Sequence, residues 1–210
     1  MKTGILSLAA ATLSAALLTQ APAVSAKTIR AVSGFGPAHI LATTGYPKMS
    51  EKLQELTDGK WKIRDTPSGL LSIGEMNEGL KNGVAEMGTI IMPYFAADYT
   101  ESALVAELSI LGNDNRAISS AVAEYISTCK ECIAEFKANG QIYTGGDATV
   151  TYELLTTKPV RNSEDLAGMR IRTAGSVFTR FITDMGGVAV QMPSSEIFEG
   201  LSSGVLAGTY

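Results

Sequence analysis

Between residues 28 and 91 the apolar side chains switch repeatedly between two periods, and this switching constrains the fold more than any other feature of the chain. Residues 28–33 alternate, with Ile29, Ala31 and Ser33 on one side and Thr28, Arg30 and Val32 on the other, as the two faces of a strand do. Gly34-Phe35-Gly36-Pro37 interrupts them. Met49, Leu53 and Leu56 then recur at helical spacing over residues 47–56. Asp58-Gly59 turns into a second strand, Trp61-Lys62-Ile63-Arg64. Ile73, Met76 and Leu80 mark a helix over 73–82 that Gly83 stops, and residues 84–91 read as a buried strand. Strands and helices in this order build a sheet with crossover helices, the α/β class.

The second half continues the theme. Ile118, Ala121, Val122, Tyr125, Ile126, Cys129, Ile133 and Phe136 form one apolar stripe, which predicts a single helix over 115–138 ended by Asn139-Gly140. Strands are expected at 142–144, 153–156, 169–173 and 188–191, the last two joined by a helix bearing Phe178, Phe181, Ile182 and Met185. A final helix over 195–203 stops at Gly204. The sequence reads as free of internal repeats. Gly145-Gly146-Asp147 is the best place for a lobe boundary, because a glycine pair permits the rotation a hinge needs; a plain surface turn fits those residues equally well.

Residues 1–26 have the form of a secretory signal. Lys2 gives the positive start, residues 5–18 are apolar, and Ala21-Pro22-Ala23-Val24-Ser25-Ala26 offers small residues for cleavage. The apolar run is shorter than the ~20 residues that span a bilayer. Lys27 then begins a periplasmic protein of 184 residues (210 less 26), enough for one good core or two small lobes. The whole chain has 17 basic and 21 acidic residues. The signal contains one of the basic ones and none of the acidic, so the remainder carries −5. With no basic cluster, nucleic acid is not an expected partner.

Enzyme constellations are missing. His39 is the only histidine, and no G-x-S-x-G elbow is present. Gly34-x-Gly36 follows a strand, but the third glycine of a dinucleotide loop is replaced by His39. Glu164 and Asp165 sit in a helix-start sequence, where carboxylates partner the helix dipole. Neither catalysis nor a cofactor is expected. Cys129 and Cys132, the only cysteines, form a C-x-x-C pair. One distant histidine does not complete a zinc site, so no metal is expected either. A local disulfide and a thiol redox centre both remain open, although a redox pair favours a helix start and this one lies inside the helical stripe.

Alternation along Met169-Arg170-Ile171-Arg172-Thr173 puts Arg170 and Arg172 on one strand face. An arginine where such a strand ends at a cleft can grip a carboxylate through two parallel charge-assisted hydrogen bonds. Spacing alone fits a surface salt bridge as well.

Several segments together resemble the TRAP transporter solute-binding family, the DctP-like periplasmic receptors. Pro67-Ser68-Gly69-Leu70-Leu71 is similar to the family's "P-S-G-Q-L-G" loop, with Leu70 and Ser72 in place of the glutamine and final glycine. The stretch from Glu78 to Gly88 resembles its "l-x-x-G-x-x-D-m-g" passage, with Glu86 for the aspartate. Ser163-Glu164-Asp165-Leu166-Ala167-Gly168-Met169-Arg170-Ile171-Arg172 is similar to "s-p-e-D-l-k-G-l-K-i-R", and Met192-Pro193-Ser194-Ser195-Glu196-Ile197-Phe198 to "m-p-x-s-E-v-y". Gly204-Val205-Leu206-Ala207-Gly208 resembles "G-v-v-D-G", with Ala207 for the aspartate.

The resemblance implies a two-lobed periplasmic-binding-protein-like α/β fold, with lobe I at 27–146 and lobe II at 147–210. It implies a receptor, monomeric at full length, that binds a small organic acid and passes it to TRAP permease subunits; an ABC-type binding protein is the nearest alternative. By the same resemblance Arg172 holds the ligand carboxylate, Arg170 takes a position commonly held by lysine, and Ser33, Phe35, Ile91 and Met92 line the cleft. Apolar Ile91 and Met92 point to a monocarboxylate with a hydrocarbon or aromatic body. An additional arginine used by some members near Tyr152 is absent. Family members continue well past position 210, so the resemblance also implies a truncated chain with an incomplete second lobe.

Overall fold

The computed structural model describes residues 26–67, 69–108, 111–148 and 152–210. The expected signal lies outside them apart from Ala26. Lobe I is built on β1 (Lys27–Val32), which lies between β2 (Trp61–Asp65) and β3 (Met87–Gly88). Both neighbours run parallel to it, with Lys27 opposite Trp61 and Ala31 opposite Met87. The crossover from β1 to β2 is α1 (Tyr46–Leu56), entered through a π-helical turn, Leu41–Gly45. Ser50 fixes α1 on the sheet, its hydroxyl accepting from the Ile63 N–H at 2.9 Å. Beyond β2, α2 (Met76–Lys81) buries Met76 against Val32, Leu71 and Ala85.

The long strand expected over 84–91 shrinks to the two residues of β3. Gly83, at φ 70°, and the bond from the Val84 N–H to the Gly79 carbonyl hold the chain in the exit turn of α2. β1 itself ends at Val32, where Gly34 turns away at φ 76°, so a longer β3 would have no partner. Residues 92–95 instead form a 3₁₀ turn.

A helical layer follows: α3 (Thr100–Leu108), α4 (Asn115–Thr128) and α5 (Lys130–Ala138). They enclose Tyr99, Ile126, Cys132 and Phe136. The single helix expected over 115–138 is therefore two. Cys129 is extended at φ −71°, ψ 118°, and its sulfur accepts from the Cys132 N–H at 3.0 Å, capping α5. The apolar stripe runs straight through the break, so periodicity does not register it. The cysteine pair thus begins a helix rather than lying inside one, and the two residues are joined as a disulfide. Residues 142–144 form no strand, because Tyr143 turns inward to pack against Phe136, the rings tilted with centres 5.3 Å apart.

Lobe II has a four-stranded sheet in the order β4-β7-β5-β6. Its strands are β4 (Leu155–Thr156), β5 (Arg170–Thr173), β6 (Val188–Gln191) and β7 (Gly208–Thr209). β6 and β7 run parallel to β5, and β4 is antiparallel to β7. The crossovers are α6 (Ser176–Asp184) and α7 (Ile197–Ser202), over a core of Leu166, Ile171 and Ile182.

The two sheets share one winding, a first strand flanked by its two successors, and here the expectation of no internal repeat fails. Glu78-Gly79-Leu80-Lys81-Asn82-Gly83-Val84 in lobe I and Glu199-Gly200-Leu201-Ser202-Ser203-Gly204-Val205 in lobe II stand 121 residues apart, and β3 and β7 keep that offset. Gly83 and Gly204 have φ of 70° and 73°, and Ala85 and Leu206 are both 3% exposed. The match is seven residues long, too short to stand out without its structural context.

Candidate functional site

Open α/β sheets bind ligands beyond the carboxyl ends of their strands, where the winding reverses. In this chain those points are the ends of β1 and β5, and the segments that follow the strands meet between the lobes. A cavity of about 320 Å³ lies there, lined by Gly74, Tyr94 and Phe95 from lobe I and by Gln191, Met192 and Pro193 from lobe II.

Arg172 is tied to that cavity through two of its lining residues, Met192 and Tyr94. It is 3% exposed, whereas Arg170, two residues earlier, is exposed. Its Nε donates to the Met192 carbonyl at 2.8 Å, one Nη to the Tyr94 hydroxyl at 2.6 Å and the other Nη to the Tyr210 carbonyl at 3.3 Å. A guanidinium has five N–H donors, so these three bonds leave one N–H on each terminal nitrogen. Tyr94 also accepts from the Ser194 N–H at 3.1 Å, which makes its hydroxyl a junction between the lobes. No ion pair among the described residues includes Arg172.

The other expected site residues, Ser33, Phe35, Ile91 and Met92, are not among the residues that line the cavity, and none shares a hydrogen bond with Arg172. Ser33 is fully buried just past β1; its N–H donates to Asp65 Oδ1 at 2.8 Å, while Ser33 Oγ and Asp65 Oδ2 are buried with no partner among the described residues. Tyr46 Oη and Thr89 Oγ1 share a hydrogen bond of 3.0 Å, and burial, then the nearby Asp65 charge, pushes the Tyr46 phenol up. Phe35 stacks on His39 with ring centres 4.0 Å apart. Ile91 leads into the 3₁₀ turn, and Met92 packs against the helical core of lobe I. The sequence reading stopped two residues short of Tyr94, and it missed Asp65. Tyr94 follows Met92-Pro93 directly; its role comes from contacts 78 and 100 residues away, which no local pattern encodes. Among the described residues no group of three or more His, Cys, Asp or Glu could hold a metal ion, and no helix is long and apolar enough to cross a membrane.

Two α/β lobes, one with a parallel and one with a mixed sheet, and a buried arginine where they meet define the class of two-lobed α/β ligand-binding proteins. The chain belongs to the bacterial extracellular solute-binding proteins, family 7, whose model matches residues 33–210. It is similar to a TRAP periplasmic solute-binding protein from Citrobacter koseri with bound D-glucuronate, at 27% identity and a TM-score of 0.64, over 87% of this chain and 61% of that one. A TRAP solute-binding protein from Rhodoferax ferrireducens T118, in complex with copurified benzoate, is 21% identical with a TM-score of 0.70, over 87% and 56%. A third, from Bordetella bronchiseptica with bound (R)- and (S)-mandelate, is 18% identical with a TM-score of 0.69, over 87% and 57%. The last two establish likeness of fold. This chain spans about three fifths of the length of these proteins.

Proposed function

We propose that this chain is the ligand-capturing part of a periplasmic receptor that takes up a small organic acid for a TRAP-type secondary transporter, without catalysis. The observation that carries the reading is Arg172, a buried cation with no ion-pair partner among the described residues, beside an interlobe cavity and with two N–H groups to spare. A buried charge without a counter-ion is costly, and an entering carboxylate removes that cost. Family membership supports the reading, as do the acids named for the Citrobacter and Rhodoferax proteins. Tyr94, Phe95, Met192 and Pro193 favour a monocarboxylate with a hydrocarbon or aromatic body.

Binding would bring the lobes together, and the closed form is what the membrane permease would recognise. Gly145, whose φ of 127° suits glycine alone, is the hinge we assign between lobe I (27–146) and lobe II (147–210). Residues 1–26 act as the cleavable signal. Cys129 opens α5, a position that can activate a thiol, but it is bridged to a fully buried Cys132, so the pair is read as structural. A thermal-shift screen of the complete receptor with carboxylic acids and their neutral amides tests the proposal. An acid at 100 times its dissociation constant should stabilise by about 2.7 kcal/mol, and its amide far less. Equal shifts from acid and amide, or no shift from any acid, would reject it.

A further inference from the structure

A second contact crosses between the lobes, and it belongs to neither the cavity nor Arg172. Glu107, at the end of α3 in lobe I, is 6% exposed. Its carboxylate accepts from the Ser176 hydroxyl at 2.6 Å and from the Val177 N–H at 3.4 Å, both in the first turn of α6 in lobe II. The preceding residue, Gly175, lies so close that a Cβ there would overlap Glu107 Oε1 and press on Pro93. The first N–H groups of a nine-residue helix lack partners within the helix and form the positive end of its dipole, so a carboxylate is well placed against them. Among the described residues Glu107 forms no ion pair. The hydrogen bonds it makes there cross to the other lobe.

We propose that Glu107 is an interlobe latch: its carboxylate caps α6 when the lobes are together and loses those bonds when they part. The latch therefore weights the closed state. Glu107 does not line the cavity, so it acts on the open–closed equilibrium and not on the ligand. A change in that equilibrium scales the apparent affinity of every ligand by the same factor. This makes Glu107 a positioning residue for the receptor activity, and the affinity part of the idea rests on the function proposed above.

The test uses the complete receptor with spin labels at two exposed sites, Lys52→Cys on α1 and Arg180→Cys on α6. Interlobe distances are measured without ligand, in the parent and in Glu107→Ala, Glu107→Gln and Ser176→Ala. The closed population is expected to fall about tenfold relative to the open one in Glu107→Ala, the scale of one charge-assisted hydrogen bond. Ser176→Ala should shift it the same way. Glu107→Gln keeps the volume and an acceptor, so it should shift the population part of the way and show that lost folding is not the cause. With carboxylate ligands, Glu107→Ala should weaken every one by a common factor. Superimposable distance distributions across parent and variants, or losses that differ from ligand to ligand, would overturn the latch. A shift in distances with no carboxylate bound by any form would uphold the latch and reject the receptor reading alone.

Discussion

Replacing Arg172 by lysine keeps the charge and removes the geometry, so it tests the carboxylate grip without deleting the cation. Arginine here uses Nε for the Met192 carbonyl and one N–H of each terminal nitrogen for Tyr94 and Tyr210, leaving two donors for a ligand. A lysine ammonium has three donors on a single nitrogen. It cannot anchor on Met192 and Tyr94 and also present two parallel N–H groups, so at least one charge-assisted bond to the ligand is lost. Such a bond is worth about 1.5–3 kcal/mol, which is roughly a 10- to 150-fold rise in dissociation constant. The assay is calorimetric titration of the complete receptor with its best carboxylate, at a temperature where circular dichroism shows both forms folded. A dissociation constant within about twofold of the parent would refute the reasoning.

Three further outcomes follow from the packing. Gly83→Ala and Gly204→Ala should each lower stability by about 1–2 kcal/mol and by matching amounts, because both glycines have φ near 70° with open space where a Cβ would go; losses of unfolding free energy in urea that differ by more than about 1 kcal/mol would contradict the equivalence of the two repeats. Replacing Cys129 and Cys132 together by serine should cost no more than about 2 kcal/mol, since the bridge closes a loop of only four residues; complete unfolding at 25 °C would show a larger role. Tyr99, fully buried, has its phenol pushed up mainly by burial and then by the Asp98 charge. Its folded-state value exceeds its unfolded one, so the folded form holds the proton longer and stability should decline as pH rises past about 10. Tyr99→Phe should flatten that decline in chemical denaturation between pH 8 and 11, and an unchanged slope would assign it to other groups.

How far the sequence could be read depended on whether the deciding contacts were local. Val188–Gln191 came out at the residues expected and β5 one residue shorter, because each shows its own strand period, while α6 carries Phe178, Phe181 and Ile182 as expected and stops just before Met185. Arg172 could be placed on a strand by alternation, yet its burial comes from residues 20 and 78 positions away. The break at Cys129 was invisible because the stripe of apolar residues continues across it, and only the sulfur capping Cys132 reveals the change of direction. β3 was overestimated since an apolar run, Ile90-Ile91-Met92, extends past the point where β1 stops offering partners. Glu107 carries no signal in the sequence, because its partners are 69 and 70 positions further on.

The most direct measurement is a crystal structure of the complete receptor with the most stabilising carboxylate from the screen. The account predicts a ligand oxygen within about 2.7–3.2 Å of each terminal nitrogen of Arg172, with the body of the acid between Phe95 and Met192. A carboxylate held elsewhere, with Arg172 still bonded only to Met192, Tyr94 and the chain at position 210, would contradict it.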